Sequence, residues 1–190
     1  GFREYDARWR YPEQINLPGL QNLGISLGKL ILKNGIDSNI IVGHDFRSYS
    51  EEVKEALVAG LVASGMNVYD IGLTITPGAY FAQYFLDCMN VAMVTSSHNP
   101  NGWTGVKMGL NRPLTFETEH MEALKEISLS HPSPSEVKGA YIFQNINKEY
   151  LKDLTNKKSI KRKIRAVVAC GNGTAGLFAP KALKKIGIEV

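Results

Sequence analysis

The sequence is poor in cysteine, with two in 190 residues. Cys88 and Cys170 lie far apart, and neither has a cysteine or histidine nearby at the spacing of metal ligands, which argues against a metal site built on cysteine. The sequence also lacks an apolar run as long as a membrane span, and its N-terminus is too charged for a signal peptide. We therefore expect no membrane association and a cytoplasmic location.

A strong charge of one sign is absent as well. The formal net charge is +4, which suits a small anionic substrate without specifying one. Residues 157–165 form a dense basic run, but no aromatic side chain is interleaved for stacking on bases. We therefore expect a solvated linker there and no nucleic-acid partner. The 44% of hydrophobic residues is typical of an ordinary globular protein.

Apolar segments of strand length alternate with segments of helical periodicity along most of the sequence. This alternation predicts an α/β fold with helices on both faces of a mostly parallel sheet. Only a short turn separates Val94 from Val106, so the strand around Val106 should run antiparallel to its predecessor. The prediction is a mixed four-stranded sheet. Its strands are residues 39–43, 67–71 and 91–94 and the segment around Val106.

Residue types that favour helix starts give the predicted N-caps. Asn16 is expected to cap the first helix, Ser48 or Ser50 the second, and Thr115 the helix after the last of these strands. Residues 2–12 show no periodicity and are expected to form an N-terminal arm held by aromatic side chains.

The segment 130–135 contains two prolines and is the clearest break in composition. We take it as the edge of a first domain of residues 1–130, followed by a linker and connecting helix at residues 131–163. Residues 164–190 predict the opening β-α-β of a second, similar domain. Residues 141–147 are ambiguous, with an edge strand as one interpretation.

Residues 95–109 carry the strongest chemical signal. A buried strand leads into Thr-Ser-Ser-His-Asn-Pro, and Asn-Pro and Asn-Gly then favour a turn. Loops at the carboxyl ends of strands are where α/β proteins hold ligands. A scaffold that directs Ser97, His98 and Lys107 into one space would suit phosphoryl chemistry.

Simpler interpretations apply to single residues. Turn hydroxyls often cap backbone groups, and an isolated loop histidine or strand lysine is usually a surface side chain. Arg8 is either a solvated charge or a guanidinium that grips a phosphate. Asp45 and Arg47 are best interpreted as a pair that braces a turn.

Gly171–Gly176 matches the dinucleotide-binding pattern Gly-x-Gly-x-x-Gly between a predicted strand and a predicted helix. An NAD(P)-dependent oxidoreductase that uses this loop is therefore an alternative function. However, the pattern usually follows the first strand of a sheet, whereas here a whole predicted domain precedes it.

Several motifs together resemble the α-D-phosphohexomutases, the family of phosphoglucomutases and phosphomannomutases. Thr-Ser-Ser-His-Asn-Pro, with a Gly-x-Lys ten residues after the second serine, resembles the phosphoserine loop of this family. Phe2–Arg8 resembles its Phe-Arg-x-Tyr-Asp-Ile-Arg opening, and His44–Arg47 resembles its Gly-Arg-Asp-x-Arg. Gly-Asn-Gly-x-Ala-Gly is similar to the start of its second domain. The resemblance covers residues 2–190 and implies the same α/β architecture.

The resemblance implies interconversion of hexose 1-phosphate and hexose 6-phosphate through a phosphoserine and a bisphosphosugar. Ser97 matches the phosphoserine. Ser96 offers a competing hydroxyl, but the position directly before the histidine favours Ser97. The implied cofactors are Mg²⁺, bound through the phosphoryl group on Ser97, and glucose or mannose 1,6-bisphosphate as activator. The implied partner is the phosphosugar substrate.

Four further roles follow from the same resemblance. His98 and Lys107 match positions proposed for general acid/base and phosphate-stabilising work. Arg8 matches the arginine beside the phosphoserine, where it would hold phosphoryl oxygens. Tyr5 matches a tyrosine that borders the active site. Tyr5, Arg8 and Lys107 are thus the candidate substrate-binding residues.

The acidic metal loop, the sugar-recognition loop and the distal phosphate loop of the family have no counterpart in the sequence. We therefore expect an N-terminal part of a four-domain enzyme that is inactive by itself, because its phosphoserine lacks positioning partners. Apolar surface of an incomplete second domain predicts disorder or self-association after about residue 145. A non-catalytic binding module for anions, with Ser97 never phosphorylated, is a third hypothesis.

Overall fold

The structure is a computed structural model that describes residues 1–112, 115–156 and 160–190. Lys157, Lys158 and Ser159 of the predicted basic run lie outside the described residues. The chain divides into two compact units, Gly1–Gln144 and Asn145–Val190. The domain boundaries expected at residues 130 and 163 stay a prediction. Among the described helices, none is both long and apolar enough to cross a membrane.

The first unit consists of one sheet and the helices packed on it. The strands are β1 (Asp6–Arg10), β2 (Asn39–His44), β3 (Asn67–Leu73), β4 (Asn90–Val94), β5 (Trp103–Gly109) and β6 (Tyr141–Phe143). The helices are α1 (Leu17–Lys33), α2 (Ser50–Ala63), α3 (Thr76–Phe85) and α4 (Thr118–Leu129).

The strands lie in the order β1-β5-β4-β2-β3-β6. Strand β2 is parallel to β3 and to β4, and β6 is parallel to β3. Strand β5 is antiparallel to both β4 and β1, which confirms the predicted reversal after Val94. The mixed α/β class is thus confirmed, but the predicted number of four strands is wrong, because β1 and β6 extend the sheet at its two edges.

The edge strand β1 replaces the arm expected over residues 2–12. Ala7 and Trp9 point into the core, whereas Asp6 and Arg8 are buried on the other face, where they form an ion pair. Alternation of side chains across a strand was therefore present in the sequence. It was missed because the charged residues on one face are as buried as the apolar residues on the other.

The opposite edge strand, β6, resolves the ambiguous segment that begins at Tyr141. The Tyr141 hydroxyl donates a 2.9 Å hydrogen bond to Asp70 of β3, and Lys54 of α2 forms a buried ion pair with the same carboxylate at 2.6 Å. Burial and the neighbouring Asp70 raise the pKa of Tyr141 to about 12. The polar contacts of Asp70 thus hold β6 in the sheet, although the side chains of β6 are largely exposed.

The main hydrophobic core lies between the sheet and helices α1, α2 and α4. Helix α1 contributes Leu20, Leu23, Leu27 and Ile31, which recur every three or four residues and are at most 2% exposed. Helix α3 packs against β2 and β4. Its buried alanines lie outside that core, so helices cover both faces of the sheet, as predicted.

Only one of the predicted helix caps is confirmed. The Asn16 side chain accepts a 3.0 Å hydrogen bond from the Gly19 N–H at the start of α1. The predictions of Ser48 or Ser50 and of Thr115 as caps are wrong. Helix α2 begins at Ser50, whose hydroxyl donates to Asp45 instead, and α4 begins three residues after Thr115.

The second unit contains α5 (Asn147–Asn156), a 3-10 turn (Thr174–Leu177) and α6 (Ala179–Lys185). In place of the strand expected from residue 164, the described residues of this unit form one isolated parallel bridge, between Arg165 and Glu189. A strand becomes regular only when a neighbouring strand continues the hydrogen-bond ladder. Within this unit the rings of Tyr150 and Phe178 form an edge contact at 6.4 Å.

Candidate active site

Polar loops meet at the carboxyl ends of β2 and β4, which are adjacent parallel strands. The Asp45 N–H donates to the Val94 carbonyl at 3.0 Å, so the segment after β2 lies directly beside the end of β4. The Thr95 N–H donates to the Gly105 carbonyl of β5 at 2.9 Å. Residues 95–102, which we call the serine loop, connect β4 to β5 and are therefore anchored on both sides.

The two serines of the serine loop have opposite environments. Ser96 is completely buried, and its hydroxyl has no hydrogen-bond partner within the described part of the chain. Ser97 is exposed, and its Oγ lies 3.4 Å from Nδ1 of the exposed His98. Of the two competing hydroxyls, Ser97 is thus the one that is accessible from solvent.

Ser97 adopts a backbone conformation that is uncommon for serine. Its φ is +54°, in the left-handed region, where a non-glycine residue costs on the order of 1–3 kcal/mol. The Ser97 N–H donates to Thr95 Oγ1 at 3.0 Å, and Thr95 Oγ1 donates to Asp45 Oδ2 at 2.8 Å. A buried carboxylate after β2 therefore helps to hold Ser97 in this conformation.

Arg8 reaches the serine loop from β1. Its Nε and Nη2 donate to Oδ2 of Asp6 at 2.9 and 2.7 Å. Its Nη1 donates to Asn99 Oδ1 at 2.5 Å and to the Ser96 carbonyl at 3.5 Å. Arg8 is 9% exposed, and these four bonds leave one N–H of its guanidinium for a further acceptor.

Lys107 and Tyr5 lie at the margin of this arrangement. Lys107 pairs with Asp6 across the β1–β5 ladder, and its side chain is half-buried. Because Arg8 follows Asp6 by two residues, Lys107 and Arg8 lie on the same face of the sheet. Tyr5 directly precedes β1 and is 59% exposed. Among the described residues, neither Lys107 nor Tyr5 makes a hydrogen bond to the serine loop.

Aromatic side chains support the far end of the serine loop. The Tyr49 hydroxyl accepts a 2.9 Å hydrogen bond from the Gly102 N–H and donates to the Trp103 carbonyl at 3.0 Å. Tyr11 stacks on Tyr49 with ring centroids 5.3 Å apart and donates to Glu52. Burial, together with the Glu52 carboxylate, raises the pKa of Tyr11 to about 12. Tyr11 therefore stays a neutral donor at physiological pH.

Sequence reasoning missed several residues that organise the serine loop. Asp6 and Asn99 hold Arg8, and Thr95 holds Ser97, but none of them was a candidate. The expected Asp45–Arg47 pair is present as an ion pair. The signal that was available is the repeated Asp-x-Arg spacing, at Asp6–Arg8 and again at Asp45–Arg47.

The described residues do not form a metal site by themselves. They include no group of three or more His, Cys, Asp or Glu side chains that could hold a metal ion. Asp45, the carboxylate nearest to Ser97 along the hydrogen-bond chain, already accepts bonds at both oxygens, from Ser50 and Arg47 at Oδ1 and from Thr95 and Arg47 at Oδ2.

The glycine-rich loop Gly171–Gly176 differs from a dinucleotide-binding turn. Gly171 and Asn172 both have positive φ, at +54° and +58°. The segment continues into the 3-10 turn that starts at Thr174, whereas a dinucleotide pyrophosphate sits at the N-terminus of an α-helix. Nothing in the geometry of this loop supports the NAD(P) alternative.

Comparison with known proteins identifies relatives over the whole chain. Residues 1–134 match the family model described as phosphoglucomutase/phosphomannomutase, alpha/beta/alpha domain I. A phosphomannomutase/phosphoglucomutase of Pseudomonas syringae pv. tomato is 34% identical over 189 residues, which is 100% of this chain and 40% of that protein. A probable phosphoglucosamine mutase of Pyrococcus furiosus is 31% identical, over 100% of this chain and 41% of that protein.

Comparison of the fold with solved structures identifies the same group of proteins. A crystal structure of a phosphoglucomutase/phosphomannomutase family protein from Burkholderia thailandensis superposes with a TM-score of 0.90 at 26% identity. The match covers 99% of this chain and 42% of that structure. The chain thus spans about 40% of the length of the relatives that it matches. These relatives are mutases, and they give no support to the oxidoreductase alternative.

Proposed function

The chain belongs to the phosphoglucomutase/phosphomannomutase family, and on this basis we propose that it carries the phosphoserine of a phosphohexomutase. The proposed activity is the interconversion of hexose 1-phosphate and hexose 6-phosphate through a bisphosphosugar. Since the chain spans about 40% of its relatives, the proposed activity belongs to an assembly in which further domains of the family complete the cleft.

The observation that carries the proposal is the contrast between Ser97 and its surroundings. The residue is exposed, yet its backbone is held in a left-handed conformation by a buried hydrogen-bond chain. A serine that only caps a turn needs no such support. Holding a nucleophile in a fixed position lowers the entropic cost of its reaction, and so the support suits a serine that exchanges a phosphoryl group.

The proposed step transfers the phosphoryl group from Ser97 to a sugar hydroxyl. The bond between phosphorus and Ser97 Oγ breaks as the sugar oxygen bonds to phosphorus, and the hydroxyl proton passes to Ser97 Oγ. His98 is proposed to relay this proton, because its Nδ1 lies 3.4 Å from Ser97 Oγ. The return step reverses each change.

Cationic residues are proposed to counter the phosphoryl charge. Lys107 would do so from its half-buried position on β5, and Arg8 would add its one remaining N–H while it holds the serine loop. Tyr5 is proposed to border the substrate, in keeping with its exposure beside β1.

The implied cofactors are Mg²⁺ and a hexose 1,6-bisphosphate activator. Bound Mg²⁺ would neutralise charge on the phosphoryl group. From this chain only phosphoryl oxygens on Ser97 are proposed as ligands, because the described residues hold no acidic cluster for a metal.

The test is peptide mapping by mass spectrometry on the complete polypeptide that the gene encodes. The protein is isolated without phosphatase treatment and then incubated with glucose 1,6-bisphosphate and Mg²⁺. We expect one phosphoryl group, located on Ser97. Ser97→Ala should abolish it, whereas the matched variant Ser96→Ala should retain it, because the Ser96 hydroxyl is buried and unpartnered among the described residues. A bare Ser97 in the wild-type protein, or phosphorylation of Ser96, would refute the proposal.

A further inference from the structure

Arg47 contacts the serine loop in a way that the proposed chemistry does not use. Its guanidinium forms an ion pair with Asp45 through Nη1. Its Nη2 donates to the Asn99 carbonyl at 2.8 Å and to the Ser97 carbonyl at 3.3 Å. The side chain is 16% exposed. A mostly buried arginine is thus directed at main-chain oxygens of the loop rather than at solvent.

Asp45 fixes the direction of this arginine and also holds the other side of Ser97. Asp45 is buried, and its Oδ1 accepts a 2.6 Å hydrogen bond from the Ser50 hydroxyl, which locks the carboxylate onto α2. Its Oδ2 accepts from Thr95 Oγ1, which in turn accepts the Ser97 N–H. One carboxylate therefore connects to the N–H of Ser97 through Thr95 and to the carbonyl of Ser97 through Arg47.

Such a double connection explains how serine persists at φ +54°. A left-handed residue is retained when its surroundings determine the conformation at both of its peptide groups. Here the N–H of Ser97 and the C=O of Ser97 are both bound to side chains that converge on Asp45. Without Arg47, the Ser97 carbonyl would lose its side-chain partner, and the conformation would rest on the bond from the Ser97 N–H to Thr95 and on the main-chain bond from the Asn99 N–H to the Ser96 carbonyl.

We propose that Arg47 is a positioning residue, which, with Asp45, holds Ser97 in the left-handed conformation that presents its hydroxyl to the phosphosugar. This inference rests on the proposed role of Ser97 as phosphoryl carrier. Arg47 touches the main chain of the loop and not the reacting atoms, so its effect should be on the geometry of attack rather than on substrate binding.

Arg8 supplies a second, independent grip on the same loop. It binds the Ser96 carbonyl and the Asn99 side chain, whereas Arg47 binds the Ser97 and Asn99 carbonyls. Each arginine is paired with an aspartate two residues before it. Because Arg8 still binds the loop at Ser96 and Asn99, loss of Arg47 should disturb Ser97 without releasing the loop as a whole.

The first experiment measures the conformation of Ser97 by NMR in the 190-residue chain. Arg47→Met keeps the length of the side chain and removes its N–H donors. The matched control is Arg112→Met, because Arg112 also pairs with an aspartate, Asp87, and donates to a main-chain carbonyl, that of Gln83. We expect Arg47→Met to shift the Ser97 Cα and Cβ resonances and to speed exchange of its amide proton about tenfold, which corresponds to one weakened hydrogen bond. Arg112→Met should leave both unchanged.

The second experiment measures steady-state mutase kinetics of the complete polypeptide that the gene encodes. We expect Arg47→Met to lower kcat by about 10- to 100-fold with little change in KM, the effect of a misplaced nucleophile. Arg47→Lys keeps the charge beside Asp45 and should recover part of kcat, but a single ammonium cannot reproduce the planar fork. A purely structural role would lower the amount of folded protein without this division between kcat and KM.

The outcomes separate the two proposals. If Ser97 is never phosphorylated in the wild-type protein, the proposed function fails, and NMR alone still decides whether Arg47 sets the conformation. If Arg47→Met does not fold, Arg47→Lys is measured in the same two ways. Unchanged Ser97 resonances and amide exchange in the folded variant would overturn the inference. A rise in KM with an unchanged kcat would overturn the inference as well, because that result would make Arg47 a substrate-binding residue.

Discussion

The serine loop and the glycine-rich loop have similar backbone features, but different hydrogen bonds and contacts hold them in place. Each follows a strand-like segment, and each contains a non-glycine residue with positive φ, Ser97 at +54° and Asn172 at +58°. Asparagine tolerates this conformation better than serine does. A Cβ built on Gly171 would meet no atom within 4 Å, whereas one built on Gly105, beside the serine loop, would lie 2.5 Å from the Ala7 carbonyl oxygen.

The difference lies in where the hydrogen bonds come from. The glycine-rich loop is closed by its own main chain, since Gly173 donates to the Cys170 carbonyl and Gly176 donates to the Gly173 carbonyl. The serine loop has one main-chain bond of this kind as well, from the Asn99 N–H to the Ser96 carbonyl at 3.0 Å, but it is also held by Arg8 of β1 and by Arg47 after β2, which are distant in sequence. A local turn is thus a feature of its own sequence, whereas a fixed reactive position requires side chains brought together by the fold.

The largest effect should come from removing the carboxylate that supports the serine loop. Asp45→Ala leaves Arg47 without its partner and Thr95 Oγ1 without its acceptor, in a largely buried position. Breaking a buried ion pair by removal of one partner costs about 3–5 kcal/mol. We expect a loss of this size in the free energy of unfolding, measured by urea titration with tryptophan fluorescence. Trp9 and Trp103, the two tryptophans, both report on the first unit.

Asp87→Asn is the control for this loss, because asparagine removes the charge and tolerates the left-handed backbone of residue 87, whose φ is +50°. Asp87 also pairs with an arginine, Arg112, but its side chain is 86% exposed. Exposed ion pairs contribute at most about 1 kcal/mol, so the change should stay below that value. Equal losses from the two aspartate variants would show that the network around Asp45 gives the serine loop no special support.

A smaller effect should follow from adding one methyl group to the strand after the serine loop. In Gly105→Ala the new Cβ would lie 2.5 Å from the Ala7 carbonyl oxygen and 3.0 Å from the Thr95 carbonyl oxygen, both of them main-chain atoms. Overpacking of this kind costs about 1–3 kcal/mol. We expect that decrease in the same urea titration, with faster amide exchange at Thr95.

Gly176→Ala provides the comparison in the glycine-rich loop. The nearest atom to its new Cβ would be the Cys170 Cβ at 3.7 Å, an ordinary contact. The stability of the second unit, followed by amide exchange, should therefore be unchanged or slightly higher. A loss as large as that of Gly105→Ala would contradict the view that the glycine-rich loop packs against little.

Much of the first unit follows from its sequence, because its helices and inner strands depend on short-range patterns. The leucines of α1 and the turn between Val94 and Val106 are examples. The edge strands did not follow. Strand β1 hides its alternation because Asp6 and Arg8 neutralise each other across two residues, and β6 gains its place through the bond from Tyr141 to Asp70, a partner distant in sequence.

The candidate site shows the same limit. The motif drew attention to Ser97 and His98, and the structure adds a reason to choose between the two serines, since Ser96 is buried. Of the supporting residues, Asp6 is signalled by the Asp-x-Arg spacing, whereas Asn99 could not be found from short-range patterns. Asn99 contacts Arg8, which is 91 residues away, and only the β1–β5 pairing brings these two partners together.

The smallest effect concerns the reactivity of the thiol that precedes each loop along the sequence. Cys88, just before β4, is completely buried, and this burial raises the pKa of its thiol to about 11, whereas Cys170 directly precedes the glycine-rich loop and is partly exposed. Thiolate is the reactive form, so at pH 8 an aromatic disulfide reagent should modify Cys170 at once and Cys88 only after urea is added. Cys170→Ser is the control, and it should leave no rapid phase. Because the raised pKa favours the protonated native thiol, the contribution of Cys88 to stability should be lost as the pH rises from the ordinary thiol range through about 11. Rapid modification of both thiols in native protein would show that the region before the serine loop opens as readily as the region before the glycine-rich loop.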